Sequence, residues 1–161
     1  MEPRFNLFAT ETGAKLAKRF AGLGQAVHQS PLPALTAELV SLRASQLNGC
    51  GFCLDMHVKE AVAAGEDPLR LHLVAGWRET TVFTEAEQAA LAFTEEGTLL
   101  TRDGVSDETW ENVRKHYDDE QVAALVCLVG LINAANRMAV ITHQKGGSYQ
   151  VGALAQAQSA Q

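Results

Sequence analysis

Three cysteines in 161 residues are too few for the disulfide framework of a small secreted domain. A chain of this length can bury a core without covalent or metal staples, so folding does not call for those cysteines. No dense run of Lys or Arg occurs, and 19 acidic against 13 basic residues leave a formal charge of −6, which argues against nucleic acid as a partner. The opening stretch, MEPRFNLFATETGAK, contains no continuous apolar segment of the kind a secretory signal needs. The longest apolar run, VAALVCLVGLI at 122–132, falls short of the roughly 20 residues that cross a bilayer and is followed by Asn133. A soluble, cytoplasmic protein with no membrane contact is therefore expected. Tandem repeats, low-complexity linkers and a second-domain boundary are also missing, so one domain is expected over 1–161, with an N-terminal helical arm at 1–29, a core at about 30–147 and a loose, small-residue tail at 148–161.

Val, Ile and Thr seldom alternate, whereas Ala, Leu and Glu recur at helical spacing, and Gly and Pro fall mostly between the periodic segments. The fold class read from this pattern is all-α, a compact helical bundle. Leu16, Phe20 and Leu23 give a first segment, 8–28, a modest apolar stripe suited to lying against a neighbour. Pro31 and Pro33 break that segment and precede a second helix at about 33–47. Asn48 and Gly49 signal a turn, and a third helix is expected from Cys50 to Ala64 with Gly65 as its stop. A short helix around 67–77 follows. Thr84 with Glu87 three residues later is a capping-box pattern that predicts a helix over 85–99. Acidic residues open two more, one before Trp110 and one leading into the most apolar helix of the chain.

On a helix Cys50, Cys53 and His57 stand at i, i+3 and i+7 and share one face. A thiol reacts as thiolate, which the unpaired N–H groups of a helix N-terminus and a nearby imidazole both favour. The C-x-x-C spacing also lets one sulfur attack a sulfenic acid formed on the other, giving a disulfide and water before over-oxidation. That sequence of events is the cycle of a thiol peroxidase.

The stretch from Glu38 to His57, read as E-x11-C-x2-C-x3-H, resembles the signature of the alkyl hydroperoxidase D (AhpD)-like group within the carboxymuconolactone decarboxylase superfamily. Length, helical pattern and the segment INAANRMAV extend the resemblance over roughly 30–147. It implies a single AhpD-like domain in which Cys53 is the peroxidatic cysteine, Cys50 the resolving cysteine, and His57 with Glu38 the proton relay. The implied substrate is an organic hydroperoxide. The implied electron source is a dithiol donor, either a lipoylated protein as in the family or a thioredoxin-like one, and no bound organic cofactor is required. Family members of this size also lead us to expect a homo-oligomer, a trimer or a hexamer. One departure stands out: some hydroperoxidases of the group carry histidine immediately before the second cysteine, and Phe52 fills that position here.

Other readings of the same residues remain open. Two thiols, an imidazole and the Glu38 carboxylate form a conceivable zinc set, although the usual second C-x-x-C or H-x3-H knuckle is missing. A redox-responsive binding module without turnover, and a lactone decarboxylase-like non-redox enzyme, are the functional alternatives. Family decarboxylases typically lack the cysteine pair, which favours redox chemistry. Cys127, within ALVCLVG, reads as core packing. His28, His72, His116 and His143 carry no motif, Trp77 and Trp110 read as packing anchors between helices or subunits, and Asn133 with Arg137 reads as a buried polar link or an interface feature.

Overall fold

A computed structural model describes residues 3–101 and 103–153. Among these there are seven α-helices and no strands: α1 (Glu11–His28), α2 (Ala34–Leu47), α3 (Gly51–Ala63), α4 (Pro68–Leu73), α5 (Glu85–Leu99), α6 (Asp107–His116) and α7 (Asp119–Ile141), with 3₁₀ helices at Leu7–Ala9 and Val74–Glu79. The all-helical reading of the sequence is what the chain adopts.

Local chemistry accounts for most of the boundaries. Thr84 and Glu87 form the reciprocal capping box at the start of α5, and Asp118 with Gln121 forms a second one at α7. Ser106 caps α6 with its side chain, and Asp107 and Glu108 follow in the first turn where they oppose the helix dipole. Asp67 caps α4, with Pro68 as the first helical residue.

α2 is the centre of the bundle and packs on α3, α5 and α7. Its Leu39, Val40, Leu42, Ala44 and Ser45 are each at most 2% exposed. Two apolar clusters meet across it. One gathers Val40, Phe93, Val113, Leu125 and Leu128 from α2, α5, α6 and α7; the other gathers Leu39, Leu42, Leu71, Val74, Trp77 and Leu91. Each fully buried leucine contributes on the order of 1.5–3 kcal/mol. Polar links then fix the register. Glu95 of α5 accepts from Arg43 of α2 (Nε to Oε1, 2.8 Å), from the Trp77 indole (2.9 Å) and from Arg78. These donors overcome the burial of Glu95 and hold its carboxyl below the usual carboxylate range.

Three expectations are revised. α7 runs on through Asn133 for 23 residues, which makes it long and apolar enough to cross a membrane by length and composition. Asn133, within this helix, is satisfied by its neighbours: its Nδ2 donates to Thr98 Oγ1 at 3.0 Å, and its Oδ1 accepts from Asn48 at 2.9 Å. In this fold α7 is a bundle helix packed on α1, α2 and α5. Cys127 is exposed rather than in the core. The inward face of α7 is taken by Val122, Leu125, Leu128, Val129 and Ile132, and Cys127, two positions after Leu125, turns outward at about 100° per residue. Finally, the segment expected to be loose is docked. Gly147 and Tyr149 N–H donate to Asp55 at 2.7 and 2.9 Å, Gly152 N–H donates to Glu60 at 2.8 Å, and Lys59 Nζ reaches the Tyr149 carbonyl at 2.9 Å. These partners all lie on α3. The rest of the expected tail, 154–161, and residues 1–2 of the expected arm lie outside the described residues.

The docked segment responds to pH with a definite sign. The Lys59 ammonium and the Tyr149 and Gly147 amides lower the Asp55 pKa against a smaller opposing effect of burial. A carboxylate depressed in the folded state gives its full stabilisation above its unfolded pKa and loses it as pH falls through the folded value. Docking of 146–153 is therefore expected to hold at neutral pH and to fail only below the usual aspartate range, and Asp55→Ala is expected to release the segment at pH 7. The Gly147 and Tyr149 amide resonances report on both. Unchanged positions and exchange rates in Asp55→Ala would rule out the role given to this carboxylate.

Candidate active site

Glu38 and the cysteine motif sit on neighbouring helices joined by a tight corner. Asn48 caps α2, and Gly49 takes the left-handed conformation (φ 66°) that reverses the chain without a Cβ penalty. Cys50 closes the corner from both sides: its N–H bonds to Ser45 O at 3.0 Å, and as N-cap of α3 its Sγ accepts from Cys53 N–H at 3.3 Å. A buried polar network supports this corner from α7. Asn48 Nδ2 lies 2.9 Å from both Asn133 Oδ1 and Asn136 Oδ1, and the fully buried Asn136 donates to Ser45 Oγ at 3.0 Å. Asn133 also accepts from Arg137 at 2.9 Å. That contact with Arg137 is exposed rather than the buried link expected, and it is the bond from Asn48 that ties Asn133 to the helix corner.

The corner brings the sequence-predicted residues together. Cys50 and Cys53 form a disulfide and are 1% and 2% exposed. Folding α3 back along α2 places His57 Nδ1 2.8 Å from Glu38 Oε2, although 19 positions separate them in sequence. Both side chains are largely buried. A carboxylate accepts from Nδ1–H, which fixes the tautomer and leaves Nε2 as the free lone pair of the neutral ring. That Nε2 is buried and has no hydrogen-bond partner among the described residues. His57 stands at i+4 from Cys53, so its ring lies on the same helix face. A disulfide sulfur has no proton to give this nitrogen, whereas a thiol has one.

Phe52, between the two cysteines, packs edge-on against Tyr149 of the docked C-terminal segment, with ring centroids 6.3 Å apart. Gly146 allows this approach. A Cβ there would come within 2.3 Å of the Gly51 carbonyl oxygen. Beside the corner lies a cavity of about 330 Å³, lined by Gly49, Cys50, Gly51, Val140, His143, Gln144, Lys145 and Gly146. Nothing in the sequence marks Tyr149, because a small, polar tail carries no packing pattern. His143 was visible only as a histidine without a motif. Its pKa is lowered first by desolvation and then by the positive charges of Arg4 and Lys145. Among the described residues, no group of three or more His, Cys, Asp or Glu side chains is placed to hold a metal ion.

An all-helical bundle with a C-x-x-C at a helix N-terminus and a histidine–glutamate pair behind it defines a protein of the AhpD-like type. The chain belongs to the carboxymuconolactone decarboxylase family, whose pattern matches residues 14–96. It is 38% identical to the Bacillus subtilis (strain 168) protein YdfG, itself uncharacterized, over 74% of this chain and 82% of that one. A crystal structure of a protein of unknown function from Agrobacterium tumefaciens, described as a candidate antioxidant defence protein AhpD, shares 34% identity and superposes with a TM-score of 0.84 over 92% of this chain and all of the other. The fold also matches that of the debrominase Bmp8, solved in complex with 2,3,4-tribromopyrrole, at 17% identity and a TM-score of 0.74 over 92% of this chain and 77% of that one.

Proposed function

We propose that this protein is a thiol-dependent peroxidase that reduces alkyl hydroperoxides through Cys50 and Cys53. The observation that carries the reading is the buried disulfide at the N-terminus of α3 with the Glu38-bound His57 on the same helix face, its Nε2 without a partner among the described residues. In the reduced protein the Cys53 thiol gives its proton to His57 Nε2, and Glu38 stabilises the imidazolium that results. The Cys53 thiolate attacks the hydroperoxide. An S–O bond forms, the O–O bond breaks, and the departing alkoxide takes the proton from His57 to leave as alcohol. Cys53 is now a sulfenic acid. Cys50 attacks it, the S–S bond closes and water is released. A dithiol, supplied by a lipoylated or thioredoxin-like protein, then reduces the disulfide by exchange and is itself oxidised to a disulfide. We place this cycle in the cytoplasm, where such donors keep thiols reduced.

Phe52, edge-on against Tyr149, stands where some relatives carry histidine, so in this reading the relay runs through His57 and Glu38 without a second imidazole between the cysteines. Self-association belongs to the same proposal. Val126, Val140 and Ile141 of α7 and Leu16 and Leu23 of α1 are 44–69% exposed, an apolar surface suited to further copies of the chain in a trimer or hexamer. A monomer in light scattering at micromolar concentration would remove that part.

The test of the chemistry is one equivalent of an organic hydroperoxide added to the reduced, metal-free protein. Loss of two thiols, one equivalent of alcohol and a Cys50–Cys53 disulfide by mass spectrometry are expected. Thiols that stay reduced would refute the peroxidase.

A further inference from the structure

Helices α2, α3 and α7 end in the same way. In each, the residue after the C-cap turns left-handed and the next amide closes back on the helix: Gly49 (φ 66°) with Cys50 N–H on Ser45 O at 3.0 Å, Gly65 (φ 95°) with Glu66 N–H on Ala61 O at 2.9 Å, and His143 (φ 57°) with Gln144 N–H on Ala139 O at 2.9 Å. Two of the three turns use glycine, which enters this region without steric cost. The third uses histidine, and the turn itself requires no imidazole. Its Nδ1 is buried and has no hydrogen-bond partner among the described residues. His143 and Cys50 line the same cavity, while Cys53 is not among its walls. A reagent entering there meets the Cys50 side of the disulfide.

We propose that this cavity admits the dithiol donor and that His143 accepts the proton of the donor thiol that attacks Cys50. The inference rests on the thiol-redox reading above and concerns its reductive half. The first donor thiol passes its proton to the His143 ring, its sulfur bonds to Cys50 Sγ, and the S–S bond breaks with Cys53 leaving as thiolate. The second donor thiol protonates Cys53, and its sulfur displaces Cys50. The donor leaves as a disulfide and the Cys50 thiolate recovers the proton held on His143. Two thiols of the donor are oxidised and two of the protein are regenerated. The surroundings suit the role. Lys145 and the N-terminus of α3 stabilise an entering thiolate. Desolvation, Arg4 and Lys145 keep the His143 ring neutral, the form that accepts a proton.

The test starts from the oxidised protein and contains no peroxide. Disulfide reduction is followed by rapid alkylation and mass spectrometry, with dithiothreitol as the dithiol probe and a water-soluble phosphine as a reductant that has no thiol proton to lose. His143→Gly and His143→Asn both suit the left-handed turn. Both are expected to slow dithiol reduction at pH 7 by about tenfold or more and to leave phosphine reduction unchanged. The gap from wild type should close as pH rises through the donor's own thiol pKa, because the donor is then already ionised. An unchanged dithiol rate at pH 7 in both variants, or equal slowing with both reductants, would overturn the proposal. Failure of the peroxidase reading would appear instead as reduced protein that does not react with hydroperoxide, a separate measurement.

Discussion

Serine at position 53 is expected to bring hydroperoxide turnover down to the uncatalysed rate, a loss on the order of 10³-fold or more, because a hydroxyl so close to neutral pH is a far weaker nucleophile than a thiolate. Serine at position 50 is expected to behave differently. The reduced Cys50→Ser protein should consume one equivalent of hydroperoxide, release one of alcohol and stop, with a sulfenic acid on Cys53 that dimedone traps for mass spectrometry. This asymmetry follows from the site. Cys53 shares its helix face with His57, whereas Cys50 caps the helix and borders the cavity. If Cys53→Ser kept full turnover with added dithiol, the peroxidase would be excluded. If the trapped sulfenic acid lay on Cys50 in the reverse experiment, the two roles would be exchanged.

The second large effect belongs to the relay. His57→Gln removes the base that takes the Cys53 proton and is expected to lower kcat/KM by about 10²–10⁴-fold at neutral pH, the range for a general acid–base group. Glu38→Gln keeps a hydrogen-bond acceptor near His57 Nδ1 but removes the charge that stabilises the imidazolium. Its cost is expected to be smaller, about 10–100-fold, as for partners that orient a functional histidine. The pH profile separates the two. His57→Gln should need pH high enough to ionise Cys53 without help, so its activity rises toward wild type in alkali. Glu38→Gln keeps the imidazole and should retain measurable activity at neutral pH. Stopped-flow oxidation of the reduced proteins measures this step apart from disulfide reduction. Wild-type rates in His57→Gln across the pH range would remove the relay.

Other groups act by holding α2 in place rather than by touching the reacting atoms. Glu95 joins α2, the 3₁₀ segment and α5 through Arg43, Trp77 and Arg78, yet neither the charge pattern nor the helix periodicity marks it. In sequence Glu95 and Glu96 look alike. In the fold Glu95 is buried beside two arginines, while Glu96 faces the start of α6 and bonds Ser106 and Thr109.

How much was readable divides along the same line. Helix starts were legible because caps act through a few neighbouring residues: Thr84 with Glu87 announces α5 wherever it lies. The thiol pair was legible because C-x-x-C on a helix face needs only one turn of geometry. Cys127 was misread for the opposite reason. Its neighbours in sequence are all apolar, and which of them turn inward depends on where α2 and α5 lie against α7. The docked tail was missed because its partners, Asp55, Lys59 and Glu60, are about 90 residues away along the chain and look like an ordinary solvated helix face.

The sequence by itself determined the helical class, the helix boundaries, the adjacency of Cys50 and Cys53, and the family to which the chain belongs, since each depends on interactions a few residues long or on a motif of fixed spacing. Tertiary structure alone decided the rest. The α2–α3 corner brings Glu38 to His57, packing leaves Nε2 without a partner among the described residues, the C-terminal segment sets Tyr149 edge-on to Phe52, and the end of α7 sets His143 on the same cavity as Cys50. Each of those contacts joins residues far apart along the chain, and their meeting is fixed by how the buried faces of α2, α3 and α7 fit together.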